Sequence, residues 1–199
     1  INMKNTFIVS CPIDTYSGYG ARARDFVKSL VELNKYDVKI LSQRWGNTTR
    51  GFLKDNKKEW GFLDKLIIPG LQEKPDYWCQ ITVPNEFNSI GKSNIGLTAG
   101  IETTNCDVEW IKGCNRMDLI LTSSEHSKVS FLNSQFQHSE NENDIIKLEK
   151  PIEVLLEGGD LNVYKIIDKF KNKELYNQIN SIPEDFAYLN NFNLLRYLE

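Results

Sequence analysis

Six short apolar runs recur along this chain, separated by amphipathic or polar stretches. They are Thr6 to Cys11, Asp37 to Leu41, Trp78 to Val83, Asn94 to Thr98, Leu119 to Thr122 and Ile152 to Leu156. Runs this short and this apolar read as buried strands. Between them, Ala21 to Leu33 places Phe26, Leu30 and Leu33 on one helical face. Asp107 to Gly113 reads as a short helix, and Ser124 caps a helix beginning Glu125-His126-Ser127-Lys128. Strands alternating with helices predict βαβ units, hence an α/β, Rossmann-like parallel sheet with helices on both faces. Ligands of such sheets sit beyond the carboxyl ends of the strands. The informative polar residues fall there, after Cys11, Val83, Thr98 and Thr122.

The first of these positions holds Ser17-Gly18-Tyr19-Gly20-Ala21-Arg22-Ala23-Arg24. Glycines let backbone approach a ligand, and a helix N-terminus favours negative charge. Two arginines one turn into the helix add positive charge. Gly18, Gly20 and Ala23 satisfy the dinucleotide spacing G-x-G-x-x-G/A. However, Pro12 to Ser17 make a long approach from the strand, and the second strand ends Leu41-Ser42-Gln43-Arg44 with no carboxylate for a ribose. A 2′-phosphate on Arg44, and so NADP, stays open as an alternative, as does a purely structural turn.

Composition bounds the rest. The 199 residues suit one large domain, and 40% hydrophobic with 26% charged residues is ordinary for a globular chain. A net charge of -3 argues against broad nucleic-acid or membrane-surface binding. The four cysteines form no C-x-x-C pair and there are two histidines, so a zinc site is not expected and the thiols read as free and buried. The sequence shows no signal peptide and no apolar run of roughly 20 residues, so a cytoplasmic protein without a membrane span is the expectation.

Two carboxylates stand near strand ends. Glu86 follows Val83, and Glu102 lies among the small residues of Thr98 to Thr104. Each suits a general base or a ligand for sugar hydroxyls; each also suits a plain loop carboxylate. Gly91-Lys92-Ser93 ends like a phosphate loop, but Glu86 stands where its first glycine belongs. Arg116 and Asp118 read as a local ion pair between a helix and the next strand. Gly46 to Gly61 reads as a basic surface segment, and Ser139 to Lys150 as a solvated insertion.

In order, the blocks are the glycine turn, PNEF, GLTAGIETT, WIKGCNRMD, LILTSSEHSK and VLLEGGDLNVY. This order resembles the N-terminal half of retaining glycosyltransferases of the GT-B fold, phage and bacterial type, over roughly residues 5 to 165. The resemblance implies sugar transfer from a nucleotide sugar, the donor substrate, to an acceptor that is a glycan, a protein or modified DNA. It implies no metal and no other cofactor. It implies that Gly18, Tyr19 and Gly20, with Arg24 beside them, lie near the donor diphosphate. It implies that Glu86, Glu102, Thr103, Ser124 and Glu125 line the acceptor side, with Glu86 and Glu102 the candidates for catalysis. In that family the nucleotide sugar is held mainly by a second, C-terminal domain. The passage here also reads Gly158-Gly159-Asp160 where the family usually has Gly-Val-Asp.

The resulting expectation is an acceptor-side domain over 1–160, and a linker with the truncated start of a second domain over 161–199. Val163 to Phe170 is expected as a helix and Asp185 to Leu189 as a first strand. Such a piece is expected to be inactive alone and to self-associate through its uncovered cleft. A Rossmann-like module that binds a glycan without catalysis, and an NADP-binding oxidoreductase fragment, are the competing readings.

Overall fold

The computed structural model describes residues 4–138 and 141–158, and residues 173, 174, 177 and 181 beyond them. The chain divides into Ile1–Glu157 and Gly158–Glu199. The first unit carries the sheet and its helices. The helix expected at 163–170 and the strand expected at 185–189 lie outside the described residues.

Strands β1 (Thr6–Cys11), β2 (Asp37–Ser42), β3 (Tyr77–Ile81), β4 (Ser93–Leu97), β5 (Leu119–Thr122), β6 (Gln135–His138), β7 (Asn141–Lys147) and β8 (Ile152–Val154) appear in chain order. Helices are α1 (Gly18–Leu33), α2 (Phe52–Asp55), α3 (Lys57–Trp60), α4 (Val108–Cys114) and α5 (Glu125–Asn133). Six strands form one parallel sheet in the order β2-β1-β3-β4-β5-β8. The order turns back at β1, where β2 lies on one side and β3 on the other. That reversal opens a crevice at the carboxyl ends of the strands.

Helices cover both faces, as the alternation of side chains requires. Phe7, Val9 and Cys11 of β1 join Cys79 and Ile81 of β3 in a core closed by Ala23, Val27 and Leu30 of α1. Ile8 and Trp78 point the other way. They meet Phe87, Ile120 and Ile152, covered by Ile111 and Cys114 of α4 and Phe131 of α5. Gly96 of β4 has no substitute here: a Cβ would lie 2.5 Å from the ring of Phe87.

Three expectations are corrected. Helix α1 begins at Gly18 rather than near Ala21, because the Ser17 hydroxyl accepts the N–H of Gly20 at 2.9 Å and caps it. The 139–150 stretch is no mere solvated insertion. β6 and β7 pair as an antiparallel hairpin, Ile146 and Leu148 pack on the second core, and Asn115 binds the carbonyl of Lys147 and the N–H of Glu149. Arg116 and Asp118 do not pair with each other. Asp118 accepts the backbone and side-chain N–H groups of Asn94, at 2.8 and 3.1 Å, while Arg116 turns to the loop after β3. Among the described residues, no helix is long and apolar enough to cross a membrane.

Candidate binding and catalytic cleft

Four loops meet along the carboxyl rim of the sheet. The first follows β1. Thr15 Oγ1 bonds the carbonyl of Pro12 and the hydroxyl of Ser17, which winds the loop tightly under α1. Gly20 is forced by this winding, because a Cβ would lie 2.5 Å from the carbonyl oxygen of Thr15. Gly18 faces open space. Tyr19 leans across the sheet. Its hydroxyl lies 3.0 Å from Thr98 Oγ1 and accepts the N–H of Ala99, so the glycine turn is fastened to the end of β4.

The arginines of this turn serve the scaffold. Arg24 is 4% exposed. Its Nη1 donates to the carbonyls of Ile13 and Thr15, both at 2.9 Å, and its guanidinium lies 3.5 Å from the centre of the Phe52 ring. Burial lowers its pKa to about 10, which leaves it cationic at neutral pH. Two of the hydrogen bonds of this guanidinium thus go to the loop that shapes the turn. Arg22 reaches outward to the carbonyls of Leu155 and Leu156 and holds the segment after β8 against α1.

Glu86 sits in a single 3-10 turn, Pro84–Glu86, just past β3. Every carbonyl around it is held. Arg116 donates to those of Asn85 and Phe87, and Gln80 to that of Glu86. Helix α4 backs the turn so closely that a Cβ on Gly113 would lie 1.8 Å from the carbonyl oxygen of Pro84. The Glu86 carboxylate, exposed, accepts the hydroxyl of Thr82. WIKGCNRMD is thus the buttress of PNEF, holding its backbone through Gly113 and Arg116.

Glu102 belongs to the loop after β4, which α5 holds through three serines. Ser127 Oγ bonds the N–H and carbonyl of Ile101, Ser130 the carbonyl of Thr103, and Ser134 the N–H of Cys106. Spacings of three and four residues put these serines on one helix face. The loop turns at Gly100, whose φ of 93° excludes most side chains. Between this loop and the start of α5 lies a depression of about 390 Å³. Ala99, Gly100, Ile101 and Glu102 line one side, and Ser123, Ser124, His126 and Ser127 the other. Ser124 caps α5 by accepting the N–H of Ser127 at 3.2 Å. Thr122, 1% exposed, has a hydroxyl with no hydrogen-bond partner.

The structure thus brings Glu102 and Ser124 to one depression. His126, whose Nε2 lies 3.3 Å from the Glu102 carbonyl, and Ser123 join them unforeseen. A signal for His126 was present: two residues past an N-cap, a side chain faces the same rim as the cap. Thr103 is turned to the carbonyl of Asn105, and Glu125 is exposed at the start of α5; neither lines the depression. Glu86 stands at the neighbouring strand end, bonded to Thr82, and no contact joins the two carboxylates. No group of three or more His, Cys, Asp or Glu among the described residues is placed to hold a metal ion. Lys92, of the dismissed phosphate loop, pairs with Asp76 at 2.7 Å ahead of β4, at the amino end of the sheet.

A second hollow, of about 240 Å³, lies in the loop after β2 between Arg44 and Arg50. Trp45 lines it and stacks on Tyr19, with ring centres 4.1 Å apart. Compared with known protein families, with curated proteins and with solved structures, the chain matches none of them.

Proposed function

We propose that this chain is the acceptor-side domain of a GT-B-type glycosyltransferase, transferring a sugar from a nucleotide sugar. The observation that supports this reading best is the Tyr19 hydroxyl. It joins the glycine turn to Thr98 and Ala99, so blocks far apart in sequence share one rim. The donor diphosphate lies over Gly18 and the first turn of α1, where a Cβ on Gly18 would meet nothing within 4 Å. Anionic ligands are favoured there by the helix dipole, and a second domain supplies the cations that hold the leaving diphosphate. The acceptor sits in the depression beside Glu102, within reach of His126 and Ser124. Glu102 or Glu86 takes the acceptor proton as the new bond forms.

The test is turnover of UDP-, GDP- and ADP-sugars by the chain joined to a complete second domain. Activity is expected, with Glu102→Gln or Glu86→Gln lowering kcat about a hundredfold or more, as for loss of a general base. No turnover of any donor by the joined protein would overturn the reading. Tight glycan binding without any response to nucleotides would instead identify a non-catalytic binding module.

A further inference from the structure

From the hollow after β2 we infer a subsite for an anionic saccharide, one carrying a phosphate or a carboxylate. Arg44, Trp45, Gly46, Asn47, Thr48 and Arg50 line it. Nothing in the proposed transfer uses these residues.

Three observations carry the inference. First, the site is built rather than draped. The loop bridges the one after β1 through Thr15 and Arg50, and Tyr16 donates its N–H to the carbonyl of Thr49 at 3.0 Å. Trp45 and Thr48 close a turn, the N–H of Thr48 donating to the carbonyl of Trp45.

Second, the hollow gathers positive charge that the protein leaves largely unspent. Arg44 is exposed and makes no hydrogen bond or ion pair with any described residue. Arg50 makes only a long contact to Asp14, at 3.9 Å, and a 3.4 Å bond to Ser42. Asp14 itself is engaged by the N–H groups of Gly51 and Leu53. Two guanidiniums can each present a planar fork to one anionic group.

Third, an indole lines the same hollow. Tyr19 braces Trp45 from one side, and Trp45 also lines the hollow. A rigid ring beside cationic forks suits a pyranose whose apolar face rests on the indole while its anionic substituent meets the arginines.

Tyr19 also locates this subsite. Its ring supports Trp45, and its hydroxyl holds Ala99 at the edge of the Glu102 depression. Tyr19 therefore stands between the two hollows. Within the proposed transfer, the hollow holds a charged group of the acceptor; that step rests on the proposed function, whereas saccharide binding here does not.

The experiment is calorimetry and saturation-transfer NMR on the chain, with glucose 6-phosphate, glucuronate, glucose and inorganic phosphate as probes. Both charged sugars are expected to bind, with glucose and phosphate alone about tenfold weaker or worse, as when one charge-assisted contact is lost. Arg44→Gln is expected to lower affinity for both charged sugars by about tenfold, Arg44→Lys less so, at unchanged melting temperature. Trp45→Phe is expected to weaken sugar phosphate but not inorganic phosphate. The inference is overturned if phosphate binds as well as its sugar ester, if Arg44→Gln changes nothing, or if a single-stranded oligonucleotide outcompetes every sugar. Failure of donor turnover with these results intact removes the transferase and keeps the subsite. Donor turnover by the joined protein, with charged-sugar binding absent or indifferent to Arg44→Gln, does the reverse.

Discussion

Gly18 and Gly20 share one helical turn, yet only one of them must be glycine. A methyl on Gly20 would meet the Thr15 carbonyl and hydroxyl and the Pro12 carbonyl, whereas Gly18 is open. Gly20→Ala is expected to cost about 1–3 kcal/mol, the range for overpacking. Gly18→Ala is expected to be neutral or to gain less than about 1 kcal/mol through reduced chain entropy. Urea unfolding of the two variants checks this, and equal effects would contradict the geometry. Arg24 invites a similar contrast. Arg24→Met leaves the carbonyls of Ile13 and Thr15 without a donor in a buried place, at a cost of about 1–3 kcal/mol. Its sugar-phosphate titration should match that of the native chain; weakened binding at full stability would put the guanidinium on the cleft after all. In sequence, Arg24 and Arg22 look alike. What separates them is the loop of Pro12 to Ser17, which folds back over Arg24, and no local pattern encodes that return.

At the scale of elements, strands were legible because apolar runs need no partner to be recognised. The six runs appear as six parallel strands, most shifted by a residue or two at their ends. The β6–β7 hairpin was not legible, because its Ile146 and Leu148 are apolar points in a charged stretch and only α4 and Asn115 give them a place. Asn115→Ala is expected to free the hairpin while leaving the sheet intact. Trypsin should then cut at Lys147 several-fold faster, with far-ultraviolet dichroism unchanged. The amino end of the sheet carries a pH dependence of its own. Asp76 accepts from Lys92 and from the N–H of Thr6, and these bonds hold its pKa below the ordinary 3.8. Its contribution is therefore complete above that ordinary value and is lost as pH falls through the lower folded one. The same bond raises Lys92 above 10.5, so its share is complete below 10.5 and disappears as pH rises through the folded value. Asp76→Asn should flatten the stability profile at both extremes and leave the middle sloped as before. A variant that tracks the native chain below pH 3.8 would refute this.

For the molecule as a whole, the four thiols report whether the two cores open together. All four are buried and free. Burial pushes Cys11 and Cys114 up to about 12 and raises Cys79 and Cys106 as well. Cys11 and Cys79 lie in the core under α1, Cys106 and Cys114 in the core under α4 and α5. A thiol that is both buried and protonated reacts only after opening. A disulfide reagent should therefore label all four slowly, and at one rate that rises with urea. Two rates would mean that the faces of the sheet come apart separately. The stacked pair of Tyr19 and Trp45 has an optical consequence as well. Light absorbed by the phenol passes to an indole in van der Waals contact, and that indole lines the arginine hollow. Of the four tryptophans, this is the one whose emission a saccharide seated there would alter. Subtracting the spectrum of Trp45→Phe from that of the native chain isolates that signal, so the protein carries its own dye at the mouth of the cleft.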